Sequence, residues 1–199
     1  MSSSMPSPLS LTLLAGLIGF GVYNYYVCSS SPSRCTDKGG LSGKQRRLVA
    51  HSWAVAMEMG ETPLGVLLFR TLFTQAPVAL KLFEDLRDIP PSELYDNAKF
   101  KDHATGVIST LNAGVQILDK PAALKPFLNS LGKRHVEYGV VPAHYDALKA
   151  ALFETLRQAV GEERMGEEDV VEAWTVVFEM IRDEMVGDNY ELLSQAAAY

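Results

Sequence analysis

Two of the four histidines in this chain stand where an imidazole could do chemistry. His103 lies in KFKDHATGV and His135 in LGKRHVEYGVVPAHYDALKAAL, both within helical patterns rich in apolar residues. A neutral imidazole nitrogen can bind a metal ion, and its N–H can donate a hydrogen bond. Either histidine alone would ordinarily be a packed or solvated residue, and His51 and His144 read that way. The bulky apolar residues Phe69 and Phe83 precede the pair, and each by itself reads as packing. The two cysteines, Cys28 and Cys35, fall outside the helical region, so the fold needs no disulfide.

The elements that must position these residues belong to a chain of 199 residues, enough for one domain with an appendage and a buried core. Hydrophobic residues make up 47% and charged residues 21%, ordinary proportions for a globular protein. The net charge of −6 is uneven: residues 1–40 hold Arg34, Lys38 and Asp37, a net +1, which leaves −7 on residues 41–199. An acidic domain without a basic stripe excludes nucleic acid as the expected partner.

Residues 9–27 (LSLTLLAGLIGFGVYNYYV) contain no charge over 19 positions. As a helix they would be roughly 28 Å long, about the thickness of a bilayer core. Tyr23, Tyr25 and Tyr26 gather at the end of the run, as membrane-interface aromatics do. Residues 1–8 hold no basic side chain, and no Ala-x-Ala follows the run, so a membrane anchor is expected in preference to a secretory signal. A cleaved signal with a secreted domain is the alternative, and a disordered or self-packing apolar tail is the third reading. Arg34, Lys38, Lys44, Arg46 and Arg47 all follow the segment, which predicts a cytoplasmic domain attached to the membrane. Cys28 at the membrane edge is open to reversible acylation. In an extracytoplasmic domain it could instead close a small loop with Cys35. Residues 28–40 (CSSSPSRCTDKGG) form a linker. The main domain is expected at 41–186, with a tail at 187–199.

After Gly40 no alternating pattern and no Asn-Gly or Asp-Gly hairpin signal appears, which predicts an all-α domain. Ser42 with Gln45 forms a capping box before a helix through Leu48, Val49, Trp53 and Ala56. Thr62-Pro63 is expected to cap the next helix, through Leu67, Leu68, Leu72 and Phe73. Pro77 ends it and can start a short helix through Phe83. Residues 84–98 read as a loop with at most a turn of helix. Asn97 caps a long helix whose inner face is expected to be His103, Val107, Leu111, Val115 and Leu118. Residues 121–138, 142–160 and 167–186 give three more.

Six or seven helices with one long loop in the first half resemble the globin pattern, and particular residues carry the likeness. The segment from Leu131 looks like the stretch where a Leu-Gly pair precedes the proximal histidine and a Gly-Val pair follows it, with His135 at the ligand position. KFKDHATGV resembles the distal helix, with His103 over the iron and Val107 one turn later. Phe83, 20 residues before His103, matches the phenylalanine that wedges the haem, and Phe69 matches the bulky residue lining the distal pocket. Trp53 matches the tryptophan of the first helix. Neuroglobin-like and plant non-symbiotic globins are the most similar members.

The resemblance implies a globin fold of six to eight helices around a pocket, preceded here by the hydrophobic N-terminal helix. It implies haem b as cofactor, with His135 as proximal iron ligand and His103 acting on the distal side, directly on iron or through a bound gas. Phe69 and Val107 would form the apolar distal wall. Leu128, Leu131, Val140, Tyr145 and Leu148 would pack the proximal side. Arg134 could pair with a haem propionate. Phenylalanine at position 69 beside a distal histidine implies direct coordination by that histidine. Two features depart from the family pattern. Gly106 stands where many globins carry a propionate-binding basic residue, and the loop after Phe83 is shorter and lacks a second aromatic.

Reversible binding of oxygen or another diatomic gas, for storage, transport or sensing, is the function this implies. The alternative is a haem redox enzyme, acting as nitric-oxide dioxygenase, nitrite reductase or peroxidase, which would need an electron-donating reductase. A haem-free interaction module is the third class.

Overall fold

Ser42 opens the fold with the capping box that its sequence predicts. Its hydroxyl accepts from the Gln45 amide (3.2 Å), and the Gln45 side chain accepts from the Ser42 amide (2.9 Å). The helix that follows is α1, Gly43–Met57. This computed structural model describes residues 41–196, all within a unit spanning Lys38–Tyr199. The apolar run at 9–27 and the linker at 28–40 lie outside the described residues. Among the described residues no helix is long and apolar enough to cross a membrane.

Eight α-helices and one 3₁₀ helix follow in order, with no strand among the described residues. They are α1, α2 (Glu61–Gln75), the 3₁₀ helix (Pro77–Leu82), α3 (Pro91–Leu94), α4 (Ala98–Gln116), α5 (Pro121–Glu137), α6 (Pro142–Val160), α7 (Glu162–Met165) and α8 (Glu168–Ala196). α2 packs on α4 and α6, α1 on α8 and α6, and α5 on α8. The core joins Trp53 and Trp174, each 2% exposed, with ring centres 5.8 Å apart. Their indole N–H groups are satisfied by Asn112 (3.0 Å) and Ser52 (2.9 Å), as buried Trp requires.

Three expectations are corrected. Thr62 does not cap α2: Gly60 does, at φ 87°, and the Thr62 hydroxyl instead bonds Thr105 (2.7 Å) on α4. The left-handed backbone at Gly60 starts the helix two residues early and frees Thr62 for a tertiary role. Val115 and Leu118 are buried as expected, but the rest of the buried face of α4 is Phe100, Ala104 and Ile108. His103, Val107 and Leu111 form the neighbouring stripe, because α2 rather than the pocket claims the most apolar side of the helix. The last helix does not stop at Val186. It breaks at Gly187 (φ 24°), a conformation that glycine tolerates, and resumes to Ala196.

Two glycines set how closely the helices approach. A Cβ at Gly65 would overlap the Ala104 carbonyl, so α2 crosses α4 backbone on backbone beside His103. A Cβ at Gly132 would overlap the Met185 backbone, so α5 crosses α8 in the same way, one turn before His135.

Candidate functional site

α4 brings His103 to a pocket built from aromatic side chains. Asn97 starts the helix by accepting from the Phe100 amide (3.2 Å), which sets its rotation. The Gly65–Ala104 crossing then buries Phe100, Ala104 and Ile108 against α2 and turns the adjacent stripe, His103 and Val107, outward. His103 is exposed as a residue, yet its ring lies between Phe69 (5.2 Å between ring centres) and Phe83 (5.1 Å), both edge-on. Phe69 in turn meets Phe83 (5.8 Å), Phe73 (5.8 Å) and Phe100 (6.0 Å). Burial among these rings lowers the His103 pKa below its ordinary value, and the charge of His135 lowers it further.

α5 carries His135. Its Nδ1 lies 2.9 Å from the Leu131 carbonyl, one turn earlier. A carbonyl can only accept, so Nδ1 carries the proton and Nε2 carries the free lone pair, the tautomer a metal ligand needs. Leu128 and Tyr145 are buried beneath it, while Leu131, Val140 and Leu148 are half-buried against the core. The Tyr145 ring lies 6.4 Å from His135. Burial raises the Tyr145 pKa far above its ordinary value, and Tyr190 adds to this, so Tyr145 stays a neutral hydroxyl. Tyr190 donates to the Val140 carbonyl (2.9 Å), tying the far part of α8 to the segment just after His135.

Among the residues named from the sequence, Phe69, Phe83 and His103 touch one another, and His135 lies beside Tyr145, which Tyr190 links to Val140. Val107 and Leu131 are half-buried against the core. Four residues beyond those expected to line the site also shape it, Gly132 among them having entered only as the glycine of the Leu-Gly pair before His135. Phe100, fully buried, packs 5.5 Å from Tyr95, so the segment after Phe83, expected to lack a second aromatic, supplies one in Tyr95. Gly65 and Gly132 place the two helices. Only the positive φ of turn glycines has a sequence signal, so a glycine inside a helical pattern gave no warning of these crossings. His144 is a cap, accepting from the Val141 amide (3.0 Å), and the outer ring nitrogen of His51 meets Arg164 (2.9 Å). Neither belongs to the pocket. Arg134 and Gly106 are exposed, and a Cβ at Gly106 would meet nothing within 4 Å.

The donor set discriminates between kinds of metal. Among the described residues no group of three or more His, Cys, Asp and Glu side chains could hold a bare ion. Two single imidazoles within electrostatic reach of each other, His103 between phenylalanine rings and His135 beside Tyr145, instead suit a metal whose remaining ligands come from a flat macrocycle. One imidazole has its proton fixed away from the pocket, and the other is desolvated and neutral. These residues fit haem.

Comparison with known proteins gives the same direction. A family model described as Globin matches residues 66–185. An anaerobic nitrite reductase of Gossypium hirsutum is 36% identical over 143 residues, covering 69% of this chain and 84% of that protein. One of Casuarina glauca is 37% identical over 128 residues, covering 62% of this chain and 78% of that protein. A hexa-coordinate hemoglobin of Drosophila melanogaster has a similar fold, with a TM-score of 0.62 at 22% identity, covering 71% of this chain and 93% of that structure.

Proposed function

This chain belongs to the globin family and binds haem, and from that premise we propose that it holds haem b between His135 and His103 and reversibly binds oxygen or another diatomic gas. Haem, when bound, supplies an iron that takes an imidazole on one face and a gas or a second imidazole on the other. The observation that carries this reading is the pair of imidazoles, His103 held between Phe69 and Phe83 and His135 with its Nδ1 committed to the Leu131 carbonyl. That bond leaves the Nε2 lone pair free and raises its basicity. On the opposite wall His103 is neutral at physiological pH, so it can donate one N–H to a ligand on which negative charge builds. It can also offer its own lone pair when no gas is present. Phe69, Phe83 and Val107 keep water from that side, which slows oxidation of the ferrous protein. The test is the absorption spectrum of the purified protein, oxidised, reduced and with carbon monoxide. Haem ligated by one or two histidines is the expected result, and a protein that takes up no haem refutes the assignment.

A second reading is one-electron redox chemistry at the same site, favoured by the names of the Gossypium and Casuarina relatives. Reduction of nitrite to nitric oxide and water consumes one electron and two protons, so turnover needs an electron-donating reductase. The −7 carried by residues 41–199 suits a donor with a basic docking face. Slow autoxidation without turnover favours gas carriage, and rapid re-reduction with nitrite turnover favours the enzyme. Residues 9–27 complete the proposal as a membrane anchor leaving the globin domain in the cytoplasm. A signal peptide cleaved on secretion is the alternative.

A further inference from the structure

The helix that carries His103 is held to α2 by two unlike devices, one on each side of that residue. On the C-terminal side the hold is rigid. The Ala104 carbonyl rests on Gly65, Thr105 bonds Thr62 (2.7 Å) and Ser109 bonds Glu61 (2.5 Å). On the N-terminal side the hold is a stack of side chains. Phe100 is buried against Phe69 and Phe73, Tyr95 lies edge-on to Phe100 at 5.5 Å, and the Arg70 guanidinium lies 4.8 Å above the Tyr95 ring. Arg70 is exposed and directly follows Phe69 on α2, so it closes the outer end of the stack that runs through Tyr95, Phe100 and Phe69 to His103. The chain between the 3₁₀ helix and α4 contains only the four-residue α3, and it leans on this stack. Two ion pairs also touch the segment, Lys99–Asp85 (3.1 Å) and Lys101–Asp96 (3.0 Å), but their carboxylates are 72% and 87% exposed and contribute little.

We propose that Arg70 and Tyr95 are positioning residues for His103. Their stacking holds the N-terminal end of α4 against α2, and so favours the placement of His103 opposite His135. His103 lies at the boundary between the clamped half of α4 and the stapled half. Release of the staple lets the first turns swing about the Ala104 crossing and draws His103 back from the pocket. The inference rests on the haem-site reading above. A guanidinium on a ring face at an exposed site shifts an equilibrium by about two- to fivefold.

The full-length holoprotein, reduced and without added gas, tests this through its absorption spectrum, which gives the ratio of six- to five-coordinate haem. Amide hydrogen exchange along α4 is measured on the same samples. Arg70→Gln and Tyr95→Leu are expected to lower that ratio about two- to fivefold and to speed exchange at residues 98–103 but not at 105–112. Arg70→Lys and Tyr95→Phe keep a cation and a ring face, and both should stay near wild type. His103→Leu calibrates the five-coordinate spectrum. If Arg70→Gln and Tyr95→Leu change neither readout while His103→Leu removes six-coordination, the staple is overturned and the haem-site reading stands. Exchange that quickens in every helix alike, or equal loss in Arg70→Lys, also overturns it. A wild-type protein that is already five-coordinate, or a spectrum indifferent to His103→Leu, removes His103 from the iron and the staple with it.

Discussion

Replacing Gly132 by Ala tests whether the crossing of α5 and α8 places His135. The new Cβ would lie 2.7 Å from the Met185 carbonyl carbon and 2.8 Å from its Cα, with the Met185 oxygen nearer still. These are backbone atoms of a helix, so no side chain can rotate away. Ordinary van der Waals contact for a Cβ begins near 3.4 Å, which requires α5 and α8 to separate by at least 0.7 Å. Overpacking of this kind costs typically 1–3 kcal/mol, and a domain of this size loses roughly 2–4 °C of melting temperature per kcal/mol. A fall of about 2–12 °C is therefore expected. His135 follows one turn later on the same rigid helix and moves with it, so haem loss to an acceptor such as apomyoglobin should quicken as well. Gly106→Ala is the control. Gly106 is also helical, but its added methyl would meet nothing within 4 Å. Higher helix propensity should leave it neutral or stabilised by up to about 1 kcal/mol. Thermal melts and haem-transfer kinetics on both variants decide the matter. A Gly132→Ala protein that melts and retains haem like wild type would refute the crossing as the device that positions His135.

Further outcomes follow from the same geometry. His135→Ala should largely abolish haem retention, measured as haem-to-protein stoichiometry, whereas His144→Ala should lose only a helix cap worth about 1 kcal/mol and keep its haem. His103→Leu removes a hydrogen bond to a charged ligand worth roughly 1.5–3 kcal/mol, so oxygen dissociation in a stopped-flow experiment should quicken about ten- to a hundredfold. In the haem-free protein, burial and then the charge of His135 hold the His103 pKa below 6.5, so in acid the unfolded chain binds the proton more readily than the folded one. The stability that neutral His103 confers is present above pH 6.5 and is lost as pH falls through its folded pKa. Melting temperatures between about pH 7 and 4 should decline less steeply in His103→Leu than in wild type. Deleting residues 1–40 should leave the haem spectrum and melting temperature nearly unchanged while releasing the protein from membranes. Terminal sequencing that finds those residues already removed from a secreted protein would instead identify a signal peptide.

Local grammar was enough to read most of the helices. The Ser42–Gln45 capping box, the Asn97 cap and the prolines at 77, 121 and 142 are short-range signals, and each starts its element where the sequence predicts. The histidines were legible because their spacing and flanking residues form a long, ordered pattern, with Phe69, Phe83 and Val107 each one helix or one turn away. Rotation of the helices was not legible in the same way. On α4 both the 103–107–111 and the 100–104–108 stripes are plausible inner faces by period alone. The Gly65–Ala104 contact decides between them, because backbone-on-backbone approach forces the second stripe against α2 and leaves the first for the pocket.

Distant parts of the chain supply what remained hidden. Tyr190 reaches the proximal segment only because Gly187 breaks α8, and Thr62 bonds Thr105 only because Gly60 starts α2 early. Arg70 meets Tyr95 across 25 residues, with no pattern in between to announce it. Capping, period and motif spacing are properties of neighbours along the chain, so the sequence alone determined the helices and singled out the two imidazoles as candidates. Which faces meet, how closely and at what rotation depends on pairs of residues brought together by packing, and only the tertiary structure decided those.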